Sequence, residues 1–389
     1  MPHQRQRTLT QSILKRLKLW PALGILGARQ TGKSTLLREI LPPFAELEYF
    51  TMDSANAKSR AEKSPESFAE PSNHKTKIID EVQKVPALFD AIKLHIDQKR
   101  RPATYILSGS TQFSDKSGIR EALTGRIGLL YLYPFSLSEI HSKPLGQYFL
   151  KKGQYKTQIK LEEFNRKIEK GGMPGFFHLH AQHEYDSTAQ LWVETTCYRD
   201  LGKVLKKNFD GDLALSIFTT LAQVASPTAK DVADHLEIDP RIAKRYLDGF
   251  CEILVLKKLS PHAKSIGQHH YLFIDSGICT YLGGSRALAL RCHVMIEALS
   301  LFESQGLNRP QVEYYHSTKR SYVPLLFSWK NEKRLIAVQI SDRESPTLGE
   351  VKSLESFSQK LDIPVRSILL SQASTSYVEK GIEFHPLRG

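Results

Sequence analysis

The stretch GILGARQTGKST, Gly24 to Thr35, constrains this chain more than any other. An apolar run (Leu23, Ile25, Leu26) breaks at Gly27 into small and polar residues. It resumes as STLLREIL, with Leu36, Leu37 and Ile40 at helical spacing. Gly27-Ala28-Arg29-Gln30-Thr31-Gly32-Lys33-Ser34 satisfies G-x-x-x-x-G-K-[ST] at every fixed position. Each fixed residue answers a separate physical demand. Gly27 and Gly32 let the backbone turn tightly and aim its N–H groups at phosphate oxygens. Lys33 adds a point charge for the β- and γ-phosphates, and Ser34 a hydroxyl for a divalent cation. The helix that follows directs the positive end of its dipole at the same place. Residues Gly27 through Thr35 are therefore expected to hold a nucleoside triphosphate, ATP with Mg2+, although the pattern does not separate adenine from guanine.

Such a loop needs a carboxylate near the metal and a group that orients water. KIIDEVQKVP supplies both: Ile78 and Ile79 end a short apolar strand at Asp80-Glu81. Asp80 is expected to share the metal with Ser34, and Glu81 to polarise the attacking water. An acidic pair is common in surface turns, but this one follows a phosphate loop and an apolar strand. Between the two motifs, ELEYFTMDS reads as a further strand ending at Asp53. ATYILSGSTQF gives another, Tyr105 to Leu107, with Ser108, Ser110 and Thr111 at its tip; Ser110 is the expected sensor of the γ-phosphate. Arg126, after a short helical segment and Gly125, is a candidate for stabilising charge on the transferred phosphoryl group, within its own subunit or across an interface. Five strands are expected, near 22–26, 46–51, 76–80, 104–108 and 128–133.

With 389 residues the chain exceeds one hydrophobic core, so several domains are expected. No apolar run approaches the length of a membrane span, and the opening MPHQRQRTLTQ has no apolar stretch behind it. The expected compartment is the cytoplasm, with no membrane partner. Cys197, Cys251, Cys279 and Cys292 form no CxxC pair and read as bystander thiols. A net charge of +13 favours polyanionic partners, duplex DNA among them.

Residues 138–175 are rich in lysine and lack a clean apolar face until Phe164 and Ile168; they read as a mobile basic connection leading into a small helical lid. From Leu213 an amphipathic helix is expected, then helix, turn, helix and strand through LKKLSP. Val232, Ala233 and Leu236 mark one buried face, and Ile242, Tyr246 and Leu247 the next. Asp239-Pro240 is a good cap and first turn for the second of these helices. The pattern is that of a winged helix. Arg241, Lys244 and Arg245 would meet phosphates and base edges if that helix read duplex DNA, and otherwise would dress a protein-packing face. The paired His269 and His270 have no third ligand nearby and are read as structural.

The set GARQTGKST, KIIDEVQKVP, YILSGST, ALTGRIGLLYLYPFSLSE and GGMPGFF resembles the prokaryotic AAA-type ATP-binding proteins that carry a C-terminal winged helix and a restriction-endonuclease-like region of unassigned function. The likeness runs through nearly the whole chain and is strongest from residue 20 to 140. It implies nucleotide and magnesium binding by Lys33, Ser34 and Asp80, with Glu81 as the hydrolytic glutamate. It also covers the Gly-Gly-x-Pro turn at Gly171, the Tyr198-Arg199-Asp200 of ETTCYRDL, and the Asp-x-Gly at Asp275. Related chains often carry nuclease carboxylates and a lysine near the C-terminus. Here Glu297 remains, but Pro324 stands where an aspartate is expected, and Gln339 and Ser341 where Glu and Lys are expected. Without paired acids a metal has no cage, so nuclease chemistry is not expected.

The expected architecture is a multidomain α/β chain. It comprises an AAA-like P-loop NTPase core on a parallel sheet (1–140), a helical lid (141–205), a winged helix (206–284) and a degenerate nuclease-like α/β domain (285–389). The expected activity is slow Mg-dependent ATP hydrolysis coupled to a C-terminal region that binds nucleic acid, a protein or a second copy of the chain. The alternative is a nucleotide-gated binding switch with little turnover.

Overall fold

The computed structural model describes residues 5–41, 46–71, 75–112, 124–224, 226–318 and 321–389, without the side chains of Ile40 and Lys330. The chain separates into two compact units. The first comprises Met1–Phe135, Glu252–Leu254 and Glu303–Leu307; the second comprises Ser136–Cys251, Val255–Phe302 and Asn308–Gly389.

The first unit is built on five parallel strands: β1 (Ala22–Leu26), β2 (Leu47–Thr51), β3 (Thr76–Asp80), β4 (Tyr105–Gly109) and β5 (Ile127–Tyr131). Their order is β2-β3-β4-β1-β5. Strands β1, β3 and β4 are buried along their whole length, as expected of a parallel sheet covered on both faces; β2 is a half-buried edge. Each strand lies within two residues of its expected position. A helix not anticipated from the sequence, Leu9–Leu17, lays Leu9, Ile13 and Leu17 against Leu23, Ile25, Ile78 and Ile106. These apolar residues recur every four positions, one stripe of a helix. The short segment expected before Arg126 lies outside the described residues.

This strand order positions the site. Because β4 lies between β1 and β3, the ends Leu26, Gly109 and Asp80 come out side by side at the carboxyl edge of the sheet. That edge, at a reversal of strand order, is where open α/β sheets bind ligands.

The second unit carries a sheet of eight strands, β6 (Leu256–Pro261), β7 (His270–Phe273), β8 (Gln311–His316), β9 (Tyr322–Trp329), β10 (Arg334–Ile340), β11 (Val365–Ser371), β12 (Tyr377–Glu379) and β13 (Ile382–Pro386). The order is β12-β13-β11-β10-β9-β8-β6-β7. Helices Gly211–Gln223, Ala229–Leu236 and Pro240–Glu252 precede the antiparallel β6–β7 hairpin, and Thr228 bridges to His270. Pairing of Ser260 and Pro261 with Glu313 and Tyr314 joins this hairpin to the C-terminal strands. The boundary read at 284–285 therefore falls inside one continuous sheet. On Pro240–Glu252 the buried face is Ala243, Tyr246, Leu247 and Phe250; Ile242 is 40% exposed, contrary to its expected place in the core.

The basic segment read as a mobile connection is tied down instead. Thr157 N–H donates to Ser374 O, Gln158 N–H to Arg388 O, and Gly146 N–H to Gly389 O. Tyr148 and Phe149 are buried, and Tyr148 stacks on His385. Lysine-rich composition hid the aromatic anchors. Further along, two motifs quoted separately above turn out to be one contact. Gly172 N–H donates to Asp275 Oδ2 at 2.7 Å while Asp275 caps the helix Ser276–Tyr281. A Cβ on Gly277 would lie 2.3 Å from the Lys170 carbonyl carbon, so only glycine permits this approach. No described helix is long and apolar enough to cross a membrane.

Glu297, on the helix Arg286–Ser304, accepts hydrogen bonds from Leu137 N–H at 2.9 and 3.1 Å. Burial raises its pKa from 4.5 to about 7, against the pull of Lys167. Between those two values the unfolded chain releases this proton and the folded one keeps it. Stability from this group is therefore full at low pH and lost as pH rises towards 7, by roughly 3 kcal/mol. Glu297→Gln is expected to gain stability relative to the native chain by about that amount between pH 4.5 and pH 8. Urea-unfolding midpoints at the two pH values check it; a difference that does not change with pH contradicts it.

Candidate functional site at the carboxyl edge of the first sheet

The loop after β1 folds as its glycines require. Gly32 has φ +92°, and Gln30 shares the left-handed region at φ +63°. A Cβ on Gly27 would sit 2.4 Å from Leu132 O and 2.9 Å from Thr31 Oγ1. The loop thus wraps too closely for any side chain there, leaving a cradle of backbone. After Lys33–Thr35 the helix continues as a π-helical turn, Leu36–Ile40, rather than the regular helix its spacing suggests. Leu36 and Leu37 are buried; the side chain of Ile40 lies outside the described residues.

Lys33 is only 5% exposed, and its ammonium donates to Gly27 O at 2.8 Å and Ala28 O at 3.0 Å. Burial lowers its pKa, opposed by the charges of Glu81 and Asp80. The sheet brings the acid of β3 to the loop. Ser34 Oγ donates to Asp80 Oδ2 at 2.6 Å, and Tyr49 from β2 donates to the same oxygen at 2.6 Å. Ser108, from the end of β4, donates to the other carboxylate oxygen of Asp80. Glu81 stands next, in a left-handed conformation at φ +55° that turns its side chain away from the strand line. Its Oε2 accepts from Gln83 Nε2 at 2.6 Å and from Ser110 Oγ at 3.0 Å. Ser110 thus holds the glutamate here.

Arg126 is not brought to this cluster. It precedes β5, and Ile127 pairs with Ala22 at the start of β1, so Arg126 sits at the opposite edge of the sheet from Gly27. Its guanidinium makes two bonds to Asp97, at 2.6 and 2.9 Å. A role in its own subunit's site is set aside on that geometry.

Tyr49, Gln83 and Arg7 of this cluster escaped the sequence reading, and Ser108 was named only as one of the residues at a strand tip. Arg7 carries the most consequence. It is 5% exposed, donates to Thr31 O at 2.7 Å and to Tyr133 O at 2.6 Å, and lies 4.8 Å above the ring of Phe135. It pins the phosphate loop to the chain leaving β5. Nothing in sequence spacing signals an arginine 24 and 126 residues from its partners. Losing two charge-assisted bonds, one of them to a loop that must be ordered for binding, costs about 2 kcal/mol. Arg7→Met is therefore expected to weaken ATP binding at least ~10-fold while Lys33 remains in place. Titration with a fluorescent ATP analogue checks this; unchanged affinity contradicts it.

Residues 20–141 match the family described as AAA domain. Two curated relatives, uncharacterized proteins of Mycobacterium bovis and Mycobacterium tuberculosis, are each 24% identical to this chain over 313 residues. The matched region is 77% of this chain and 66% of theirs, so the chain spans just under two thirds of their length. Among solved structures, a Walker-type ATPase of Pyrococcus abyssi is similar at 14% identity, over 71% of this chain and 94% of that one, with a TM-score of 0.44. The five-stranded parallel sheet, its phosphate loop and the family match agree: residues 20–141 carry an AAA-like P-loop NTPase fold.

Proposed function

We propose that this chain binds ATP with Mg2+ in the loop Gly27 to Thr35 and hydrolyses it slowly. The observation that carries the proposal is the 2.6 Å bond between Ser34 Oγ and Asp80 Oδ2, which joins the loop hydroxyl to the strand-end carboxylate. The two oxygens suit a hard cation, and the ammonium with the loop's backbone N–H groups suits phosphate oxygens. Ser34 and Asp80 would hold Mg2+, which when bound neutralises charge on the phosphates. Lys33 would exchange the carbonyls of Gly27 and Ala28 for phosphate oxygens. Ala28, Arg29, Gln30, Thr31 and Thr35 would complete the loop around them. Glu81 would accept the proton of the attacking water, and Ser110 with Gln83 would position it.

The resting arrangement supports the reading of low basal turnover. Glu81 is tied to Gln83 and Ser110, and Lys33 is turned onto its own loop. Activation then requires that these bonds be exchanged. The same feature favours the second reading, a nucleotide-gated switch with little turnover, whose output is binding by the second unit.

That unit, in this proposal, contains a lid, a winged helix and a degenerate nuclease-like domain. Its helix Pro240–Glu252 offers less to DNA than its composition suggests. Lys244 pairs with Asp248 at 2.7 Å, and Arg245 donates to the carbonyls of Leu205, Lys207 and Asn208. Arg241 remains exposed. Duplex DNA is thus a weaker candidate partner than a protein or a second copy, in which Arg126 would act across the interface. Steady-state ATPase rates across a range of protein concentration, with and without duplex DNA, test the proposal. A rate that rises with protein concentration supports self-association, and one that rises only with DNA supports DNA as partner. A rate at buffer background throughout, with ATP still bound, leaves the switch reading.

A further inference from the structure

The second unit contains a cavity of about 470 Å3 that the nucleotide chemistry does not use. Its walls come from four elements. The first turns of the helix Arg286–Ser304 contribute Leu290 and Arg291, β9 gives Tyr322 and Pro324, and β10 ends in Gln339 and Ile340. The start of the helix Leu348–Ser358 closes the fourth side. Pro324 and Gln339 are the positions where the resemblance described above implies metal-binding acids. Glu297 lies further along its helix, bound to Leu137 N–H, and is absent from this wall.

Charge accounting shows what the cavity lacks. Asp342 is paired with Arg286, which also donates to Asn165. Glu350 accepts from Thr347 N–H at 2.6 Å and from Thr347 Oγ1 at 2.9 Å in a capping box. Gln339 is satisfied by Tyr322 O and Ile340 N–H. Arg291 is left over. Its Nε is buried without a hydrogen-bond partner, and its ion pairs among the described residues number none. Its Nη2 lies 3.3 Å from His270 Nδ1, and its guanidinium 5.5 Å from the ring centroid of Tyr322. His270 stacks on Tyr314 and is kept neutral by burial, its pKa lowered to about 3, so it adds no second positive charge beside Arg291. Arg291 is the one cation among the lining residues, and neither lining carboxylate is paired with it: Asp342 faces Arg286 and Glu350 is held by Thr347. A single negative charge on an apolar body would meet it between Leu290, Pro324 and Tyr322. A dianion would place its second charge beside Asp342 and Glu350 with no cation to meet it.

We propose that this cavity binds a small organic carboxylate, its carboxyl group against Arg291 and its apolar body against Leu290, Pro324 and Tyr322. The planar fork of the guanidinium matches the two oxygens of a carboxylate. The site is separate in chemistry from the nucleotide loop and stands whether or not ATP binds.

Saturation-transfer NMR on the full chain with 1-naphthoate, its neutral amide 1-naphthamide, and AMP as a dianion tests the proposal. Naphthoate is expected to bind, with the amide and AMP at least tenfold weaker when competed against it. Arg291→Met is expected to reduce naphthoate binding at least tenfold, and Lys33→Ala to leave it unchanged. Ala287→Trp, which fills the mouth, is expected to abolish it while the melting temperature holds. The proposal is overturned if naphthoate does not bind, if naphthamide binds as tightly, or if a folded Arg291→Met variant binds like the native chain. The comparison of acid with amide on the native chain decides the matter even if Arg291→Met fails to fold.

Discussion

Lys33→Ala is expected to lower ATP affinity by about two orders of magnitude and to bring turnover to background. The ammonium is buried beside Asp80 and Glu81 and bonded to two loop carbonyls, a position already desolvated for phosphate. Two charge-assisted bonds to phosphate oxygens contribute about 3 kcal/mol in such a site, and each 1.4 kcal/mol is tenfold in affinity. The fold should survive, because removing a buried charge relieves desolvation and the sheet core does not depend on it. Nucleotide titration and a malachite-green phosphate assay, with a melting curve as control, check this. Equal affinity and equal turnover in the two proteins contradict it.

Glu81→Gln is expected to separate binding from chemistry. The carboxylate lies at the end of β3, bonded to Gln83 and Ser110, and is not bonded to Lys33. Replacing it by an amide keeps size and most hydrogen bonding but removes the base. General-base loss costs ~10²- to 10⁴-fold in rate. Affinity for ATP should change less than ~3-fold, since binding rests on the loop and Asp80. Single-turnover hydrolysis alongside equilibrium binding measures both quantities. Loss of binding together with turnover would move Glu81 from chemistry to loop support.

The first sheet was legible because its central strands carry short apolar runs and its loop has fixed-position chemistry. Those signals are local, and the structure places each strand within two residues of the expected range. What the sequence hid is contact between distant residues. Arg7 reaches Thr31 and Tyr133 from outside every motif, and Ser108 looked like one of several small residues at a strand tip. Arg126 was singled out by following Gly125 after a short helical segment, yet parallel pairing of Ile127 with Ala22 places it at the opposite edge from the loop. Arg245 reads as a free cation in a helix pattern, but three carbonyls of the preceding segment occupy it. In the second unit the lysines of 151–160 masked the aromatic residues that anchor that segment, since charge dominates composition while Tyr148 and Phe149 decide packing.

The central claim is that a triphosphate and its cation are gripped between the loop 27–34 and Asp80. Isothermal titration of Mg·ATP into the full chain tests it most directly. The account predicts a saturable heat with one nucleotide bound per chain, abolished by Lys33→Ala and weakened by Arg7→Met. Absence of heat with both adenine and guanine triphosphates, from protein with an intact melting transition, would contradict it.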